Sequence, residues 1–434
     1  MIVFVTGCMD SISDYNFKPI FAFWNRSLYL ESIVAISFMA TDNSLNRRSV
    51  LKATGSVAAV GLAGCTGSGS ENTFTIGANL PLSQGWEPYG NTQVRAAEIA
   101  ITEINDNGGL DGKDVELVVE DNQVDPQRSR DMAGRLVSRE NADVLLGPIS
   151  SANRVAVASE LEQLQVPSLY ASQYEGPVAD DYCNEWMFHL GDIPAQKIDP
   201  LIPWLIEEHG DSFYLLGDDY NWPNETNGAI RNVVEQEGGE ILAEEYVSLD
   251  TTDFSSIIPR ISREEPDVLL MTVTGSGVAA IQDQMLEQGV RDEFAQVGLA
   301  HGQGVVQGAS SEATEGVITC HPYLENLEND ANTEFMANFR EEYGSDALVN
   351  YFTGPAYNAI QLLVDAVERS GGSSAEDIQS GLQDASTDSI MGETMIESDN
   401  QMTVGTSVGV LNSEQKYDVV ENFEPVSPDG DCDI

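Results

Sequence analysis

TFTIGANLPL at residues 73–82, VELVVED at 115–121, DVLLGP at 143–148 and VPSLYA at 166–171 decide the fold. Each is a short apolar run bounded by Gly, Pro, Ser or Asp, the mark of a strand buried on both faces. Helical periods fill the intervals. Val94, Ala97, Ile101 and Ile104 share one face of a helix that stops at Asn107-Gly108-Gly109, because glycine accepts the left-handed conformation that ends helices. Asp125-Pro126 opens the next helix, and a third starts at Ser150 or Ser151. Strands alternating with amphipathic helices imply βαβ units and a parallel sheet.

The rhythm restarts after about residue 191. SFYLLGDDY (212–220), EILAEEYV (240–247), DVLLMTVTG (267–275) and AQVGLA (295–300) read as strands with helices between them. Helices at 333–344 and 352–370 and strands at 394–397 and 404–411 then return to these sheets. The expected fold class is α/β, with two doubly wound parallel-sheet lobes. Ligands of such sheets bind beyond the carboxyl ends of the strands. Here those ends carry hydroxyls, amides, aromatics and glycine, which suits a small polar solute.

Composition narrows the setting. The 434 residues include 71 Asp and Glu against 20 Lys and Arg, a formal net charge of −51. At low salt such a surface repels itself; in molar salt, where the Debye length is roughly 3 Å, it becomes tolerable. The acid is spread along a chain with intact apolar periodicity, as in a folded protein adapted to high salt. Nucleic acid is excluded as a partner, since no basic patch exists to displace its counterions. The five cysteines, Cys8, Cys65, Cys183, Cys320 and Cys432, fit no zinc pattern and form no C-x-x-C. Any two of the last three can pair after export; buried free thiols are the alternative.

The front of the chain carries an address. NRRSVLK at 46–52 places Arg47 and Arg48 before a short apolar run, ATGSVAAVGLAG at 53–64, which ends at Cys65. That order is a secretory signal, and the run is too short to span a bilayer. The Arg pair resembles a twin-arginine export signal. LAGC at 62–65 resembles a lipobox, whose cysteine receives the lipid and holds the protein on the outer face of the cytoplasmic membrane. Met39 stands where a start codon fits, so residues 1–38 are expected to be a non-native extension and residues 66–73 a flexible tether.

IGANLPLSQ (76–84), INDNGGLDGKDVELVVEDNQVDP (104–126), LLGPISSANRVAV (145–157) and LLGDDYNWP (215–223) together resemble the type I periplasmic binding-protein family. The resemblance runs from 74 to the C-terminus. LYASQYEG (169–176) and GDDYNWPNETN (217–227) look closest to its urea- and short-chain-amide-binding branch. It implies one lobe of residues 74–191 plus 322–387 and another of 192–321 plus 388–434, joined by a hinge crossed several times. Closure about that hinge buries the solute, and the partners are the permease and ATPase of an ABC importer. The ligand-binding residues it implies are Ser151, Tyr170, Ser172, Tyr174 and Glu175 in the first lobe and Tyr220, Trp222, Gly275 and Ser276 in the second. Glu175 is the expected acceptor for the ligand NH₂.

The amino-acid-binding branch has a second-lobe acid for the ligand ammonium. Here the comparable strand end reads GLAHGQG (298–304), with His301 and Gln303. An amino-acid-binding protein and a surface sensor docked on a signalling partner are the rival readings. Asp218 and Asp219 also suit a helix cap, Asn224 suits the N-cap of a helix at 225–236, and Cys320-His321 suits a hinge crossing. Gly275-Ser276-Gly277 lacks the spacing of a dinucleotide fingerprint. With four histidines, no G-x-S-x-G elbow and no H-E-x-x-H, the sequence points away from an enzyme. No metal or cofactor is expected.

Replacing Cys65 with Ser is expected to abolish incorporation of labelled lipid, and replacing Arg47 and Arg48 with Lys to leave the precursor inside the cell. Retained label in the Cys65→Ser protein would contradict the lipobox reading.

Overall fold

The computed structural model describes residues 72–176, 183–428 and 432. The export signal with Arg47 and Arg48, the lipobox Cys65 and the proposed extension 1–38 therefore lie outside the described residues.

The first sheet has five parallel strands: β1 (Thr73–Leu80), β2 (Asp114–Asp121), β3 (Val144–Leu146), β4 (Ser168–Tyr170) and β5 (Met187–His189), in the order β2-β1-β3-β4-β5. Helices α1 (Glu87–Asp106), α2 (Pro126–Glu140) and α3 (Ser151–Leu164) connect them. Asp125 caps α2 through Arg128 N with Pro126 at the first helical position, and Ser150 caps α3 through Asn153 N. Side chains alternate across the sheet. Phe74, Ile76, Ala78 and Leu80 join one core with α1, while Leu145 and Tyr170 join another with α2 and α3.

The second sheet repeats the pattern. Helix α4 (Pro194–Glu208) leads into β6 (Ser212–Asp218), α5 (Asn221–Gln236), β7 (Glu240–Val247), α6 (Ile258–Glu264), β8 (Val268–Thr272), α7 (Ser276–Gln288) and β9 (Ala295–Gly298). Two short helices, α8 (Gln303–Val306) and α9 (Ser311–Thr314), precede β10 (Ile318–His321). The parallel order β7-β6-β8-β9-β10 has the same connectivity as the first sheet. Phe213 and Leu215 face the core of α4 and α5, and Tyr214 and Leu216 face that of α6 and α7.

The chain passes from the first sheet to the second after β5. It leaves after β10 for α10 (Asp330–Tyr343), α11 (Thr353–Ser370) and α12 (Ala375–Leu382), of which α10 and α11 pack on α1. It returns through β11 (Ser386–Ser389), β12 (Gly392–Ile396), β13 (Met402–Leu411) and β14 (Tyr417–Val426), an antiparallel extension that joins β10 through β13. No helix of the described residues is long and apolar enough to cross a membrane.

The structure adds elements that the sequence reading lacks. β5 is only three residues long, β10 occupies the segment read as a bare hinge crossing, and β14 is an edge strand with most side chains exposed. Helix α5 begins at Asn221 with Tyr220 at the N-cap, so Asn224 lies in the first turn and is not its cap. Cys183 pairs with Cys432 across 249 residues, and Cys320 is free and buried.

That bond closes a loop of most of the described chain. Its loss is expected to lower stability by about 2–4 kcal/mol, read as an earlier guanidinium midpoint in Cys432→Ser. An unchanged midpoint would show that it constrains nothing in the unfolded chain.

Candidate functional site: an aromatic cavity between the lobes

In a sheet of order 2-1-3-4-5, the chain runs in opposite directions away from β1 and β3, which leaves a crevice at their carboxyl ends. The second sheet has the same switch point between β6 and β8. The loops beyond these strands meet around a small cavity. Trp86 and Tyr89 follow β1, Ile149, Ser150 and Ser151 follow β3, and Ser172 and Gln173 follow β4. From the second lobe come Tyr220 and Trp222 beyond β6 and Thr274 beyond β8; Tyr351 and Phe352, just before α11, complete the lining. Among the described residues, no charged side chain lines it.

The aromatic wall is continuous. Tyr89 meets Trp86 edge-on at 5.5 Å and Phe352 edge-on at 5.4 Å, and Tyr351 lies 4.4 Å from Phe352. Tyr351 in turn stacks on the buried His321 at 3.8 Å. The Tyr89 hydroxyl joins the lobes. It donates to Ala300 O at 3.0 Å and accepts from Gly275 N at 3.3 Å. Gly275 has φ +56, and a Cβ there would stand 3.3 Å from Trp86 Nε1, so a side chain would be strained and crowded.

Polar groups sit at opposite ends. Ser172 is 1% exposed, and its hydroxyl, beside that of Tyr170, forms no full hydrogen bond. A buried hydroxyl without a partner costs about 1–3 kcal/mol, which marks it as a group awaiting a ligand or water. The start of α3 beside it adds backbone N–H groups. Gly191 fixes this turn, because a Cβ there would fall 2.0 Å from Ser172 O. Across the cavity, Asp218 at the end of β6 accepts from Thr274 N at 2.7 Å and Thr274 Oγ1 at 2.6 Å. Burial pushes the Asp218 carboxyl up to about 7, against the pull of those two hydrogen bonds. Desolvation, aided by the Asp218 charge, also raises the Tyr220 hydroxyl well above its usual range.

Of the residues expected at the site, Ser151, Ser172, Tyr220 and Trp222 line the cavity. Tyr170, Tyr174 and Glu175 stand behind the wall instead. Tyr170 donates to Ile149 O at 2.6 Å and Tyr174 donates to Gln401 Oε1 at 3.0 Å. Glu175 Oε1 pairs with Arg154 at 2.6 Å, and Arg154 also meets His189 at 3.1 Å. Glu175 therefore neutralises a buried guanidinium, a placement that the sequence, with its 71 acids, does not reveal. Gly275 acts through its backbone, and Ser276 opens α7 outside the lining. Asp218 is no helix cap. His301 and Gln303 do not line the cavity either; burial holds the His301 imidazolium down to about 3, and Gln303 donates to Glu325 at 2.8 Å.

Trp86, Tyr89, Tyr351 and Phe352 escaped the sequence reading, whereas Thr274 belongs to a strand end expected to face the cleft. Trp86 and Tyr89 follow β1, so the carboxyl-end rule could have found them; Tyr351 and Phe352 follow no strand. Among the described residues there is no cluster of His, Cys, Asp or Glu that could hold a metal ion.

Comparison with known proteins agrees with this architecture. Residues 73–416 match the family described as periplasmic binding protein. A Leu/Ile/Val-binding protein homolog 6 of Brucella melitensis is 22% identical over 273 residues, 62% of this chain and 69% of that one. A solute-binding protein of an ABC transporter from Rhodopseudomonas palustris BisB5, crystallised with 3,4-dihydroxybenzoic acid, superposes with a TM-score of 0.75 at 19% identity, covering 83% of this chain and 99% of that one. The branched-chain amino acid transporter substrate-binding protein LivJ of Streptococcus pneumoniae, crystallised with isoleucine, gives 0.70 at 21% identity, covering 82% and 99%. With two sheets of one connectivity meeting at their switch points, the chain belongs to the periplasmic binding protein family, type I in fold, whose members bind solutes and are not enzymes.

Proposed function

We propose that the chain is an exported, Cys65-anchored solute-binding protein that delivers urea or a short-chain amide to the permease and ATPase of an ABC importer. The observation that carries the ligand class is the cavity lining, a small space bounded by aromatic and uncharged polar groups among the described residues. A fixed charge moved into such a space without a counter-charge is costly. A planar neutral amide avoids that cost and lays its faces against flat rings. Its carbonyl takes the Ser172 hydroxyl and the N–H groups at the start of α3; its NH₂ turns to the second lobe.

An amino acid is the second reading. The family relatives named for Leu/Ile/Val favour it, and so does the buried Asp218 behind Thr274, which supplies negative charge near an ammonium. The carboxylate would then rest on the start of α3, where the helix dipole favours anions.

Thermal melts of residues 66–434 in multimolar KCl, with urea, acetamide, formamide, leucine, glutamate and benzoate, separate the readings. A ligand specific to the folded state adds about 2.7 kcal/mol at 100-fold excess over its dissociation constant. A shift with urea or an amide alone is expected, without release of ammonia. A shift with leucine, glutamate or benzoate alone would overturn the ligand class and keep the binding role.

A further inference from the structure

Hydroxyl hydrogens are single, and the cavity uses them selectively. Thr274 Oγ1 gives its only hydrogen to Asp218 Oδ2 at 2.6 Å, and the same carboxylate oxygen takes Thr274 N at 2.7 Å. The Thr274 hydroxyl, part of the lining, is left with lone pairs alone. Oδ2 receives two donors, so it remains an acceptor whether or not the carboxyl carries a proton. The Tyr89 hydroxyl has likewise given its hydrogen away, to Ala300 O. On the first-lobe side the Ser172 hydroxyl, which neighbours the Tyr170 oxygen but forms no full hydrogen bond, lines the cavity with Ser150 and Ser151 and has a hydrogen to offer a solute. Asp218 is 1% exposed and does not line the cavity, so it acts through Thr274.

We propose that Asp218 is the positioning residue that sets the polarity of the cavity. By holding the Thr274 hydrogen it leaves this second-lobe hydroxyl, beside the Tyr220 O–H and Trp222 N–H, able only to accept, while on the first-lobe wall the Ser172 hydroxyl can donate. The site therefore selects solutes with a carbonyl or carboxylate at one end and N–H at the other, bound in one orientation. This deepens the amide reading and rests on it for the choice of probe.

The test compares acetamide with acetone, which keeps the carbonyl and the size but has no N–H, by competition calorimetry on the exported protein. A site built to pair an N–H rejects the analogue lacking it, so the wild-type protein is expected to favour acetamide by about 100-fold or more. Asp218→Ala frees the Thr274 hydrogen and should cut that preference at least ~10-fold. Thr274→Val should do the same, with the cavity shape kept. Asp218→Asn, whose Oδ1 still accepts from Thr274, should stay within ~3-fold of wild type. If Asp218→Ala or Thr274→Val changes both affinities in parallel and leaves the ratio unmoved, the positioning role is overturned. If the wild-type protein binds leucine and no amide, the amide reading fails by itself. The same variants are then compared on leucine against 4-methyl-2-oxopentanoate, which lacks the ammonium. A ten-fold loss of preference there supports the role of Asp218, and an unchanged preference overturns it.

Discussion

The Tyr89 hydroxyl is the contact on which the cavity depends. It sits on α1 of the first lobe and takes two partners, Ala300 O and Gly275 N, from loops of the second. A hydrogen bond of this kind contributes about 1 kcal/mol net. Two of them hold the lobes in register without locking them, which suits a protein that must open again. The ring carrying that hydroxyl is also the centre of the aromatic wall, so one side chain closes the site and shapes it. The repeated strand order explains why such a contact is possible. Each sheet opens a crevice at its own switch point, and the two crevices face each other.

Behind the wall, buried charges are arranged to stay paired. Lys197 on α4, buried, meets Asp192 at 2.5 Å and donates to Gln173 Oε1 at 2.6 Å. Gln173 lines the cavity, so an ion pair at the passage between sheets fixes a first-lobe side chain. The pair formed by Arg154 and Glu175 does similar work under the start of α3. Breaking either would strand a charge in a dry interior, at about 3–5 kcal/mol. These pairs hold the first-lobe turn rigid, which lets the cavity itself remain uncharged. The outer surface carries the opposite logic. With 71 acids and 20 basic residues, ion pairing cannot balance the charge, and screening by salt must do so.

Much of this was legible in the chain. β1, β3, β4, β6 and β8 are buried on both faces, so their apolar runs stand out, and the residues just past them include Ser151, Ser172, Tyr220 and Trp222 of the cavity. β5 is no shorter than β3 and β4, but it escaped because His189 interrupts the apolar run of residues 186–190. β14 escaped because an edge strand of ten residues with one face in water reads as polar chain. The cavity's third wall was hidden for a different reason. Tyr351 and Phe352 reach it from the segment before α11, and only the tertiary fold brings them there. Glu175 shows the converse difficulty. The local sequence marks it as polar and near the site, but its partner, Arg154, sits 21 residues away on another element.

The central claim is that a small planar solute lies between the Ser172 hydroxyl and Thr274, under the Tyr89 contact. A crystal structure of the protein grown with saturating acetamide in high salt tests it most directly. The account predicts the carbonyl oxygen within hydrogen-bond reach of Ser172, the nitrogen towards Thr274, and Tyr89 still bonded to Ala300. An empty cavity, or the amide bound elsewhere with Tyr89 unbonded, would contradict it.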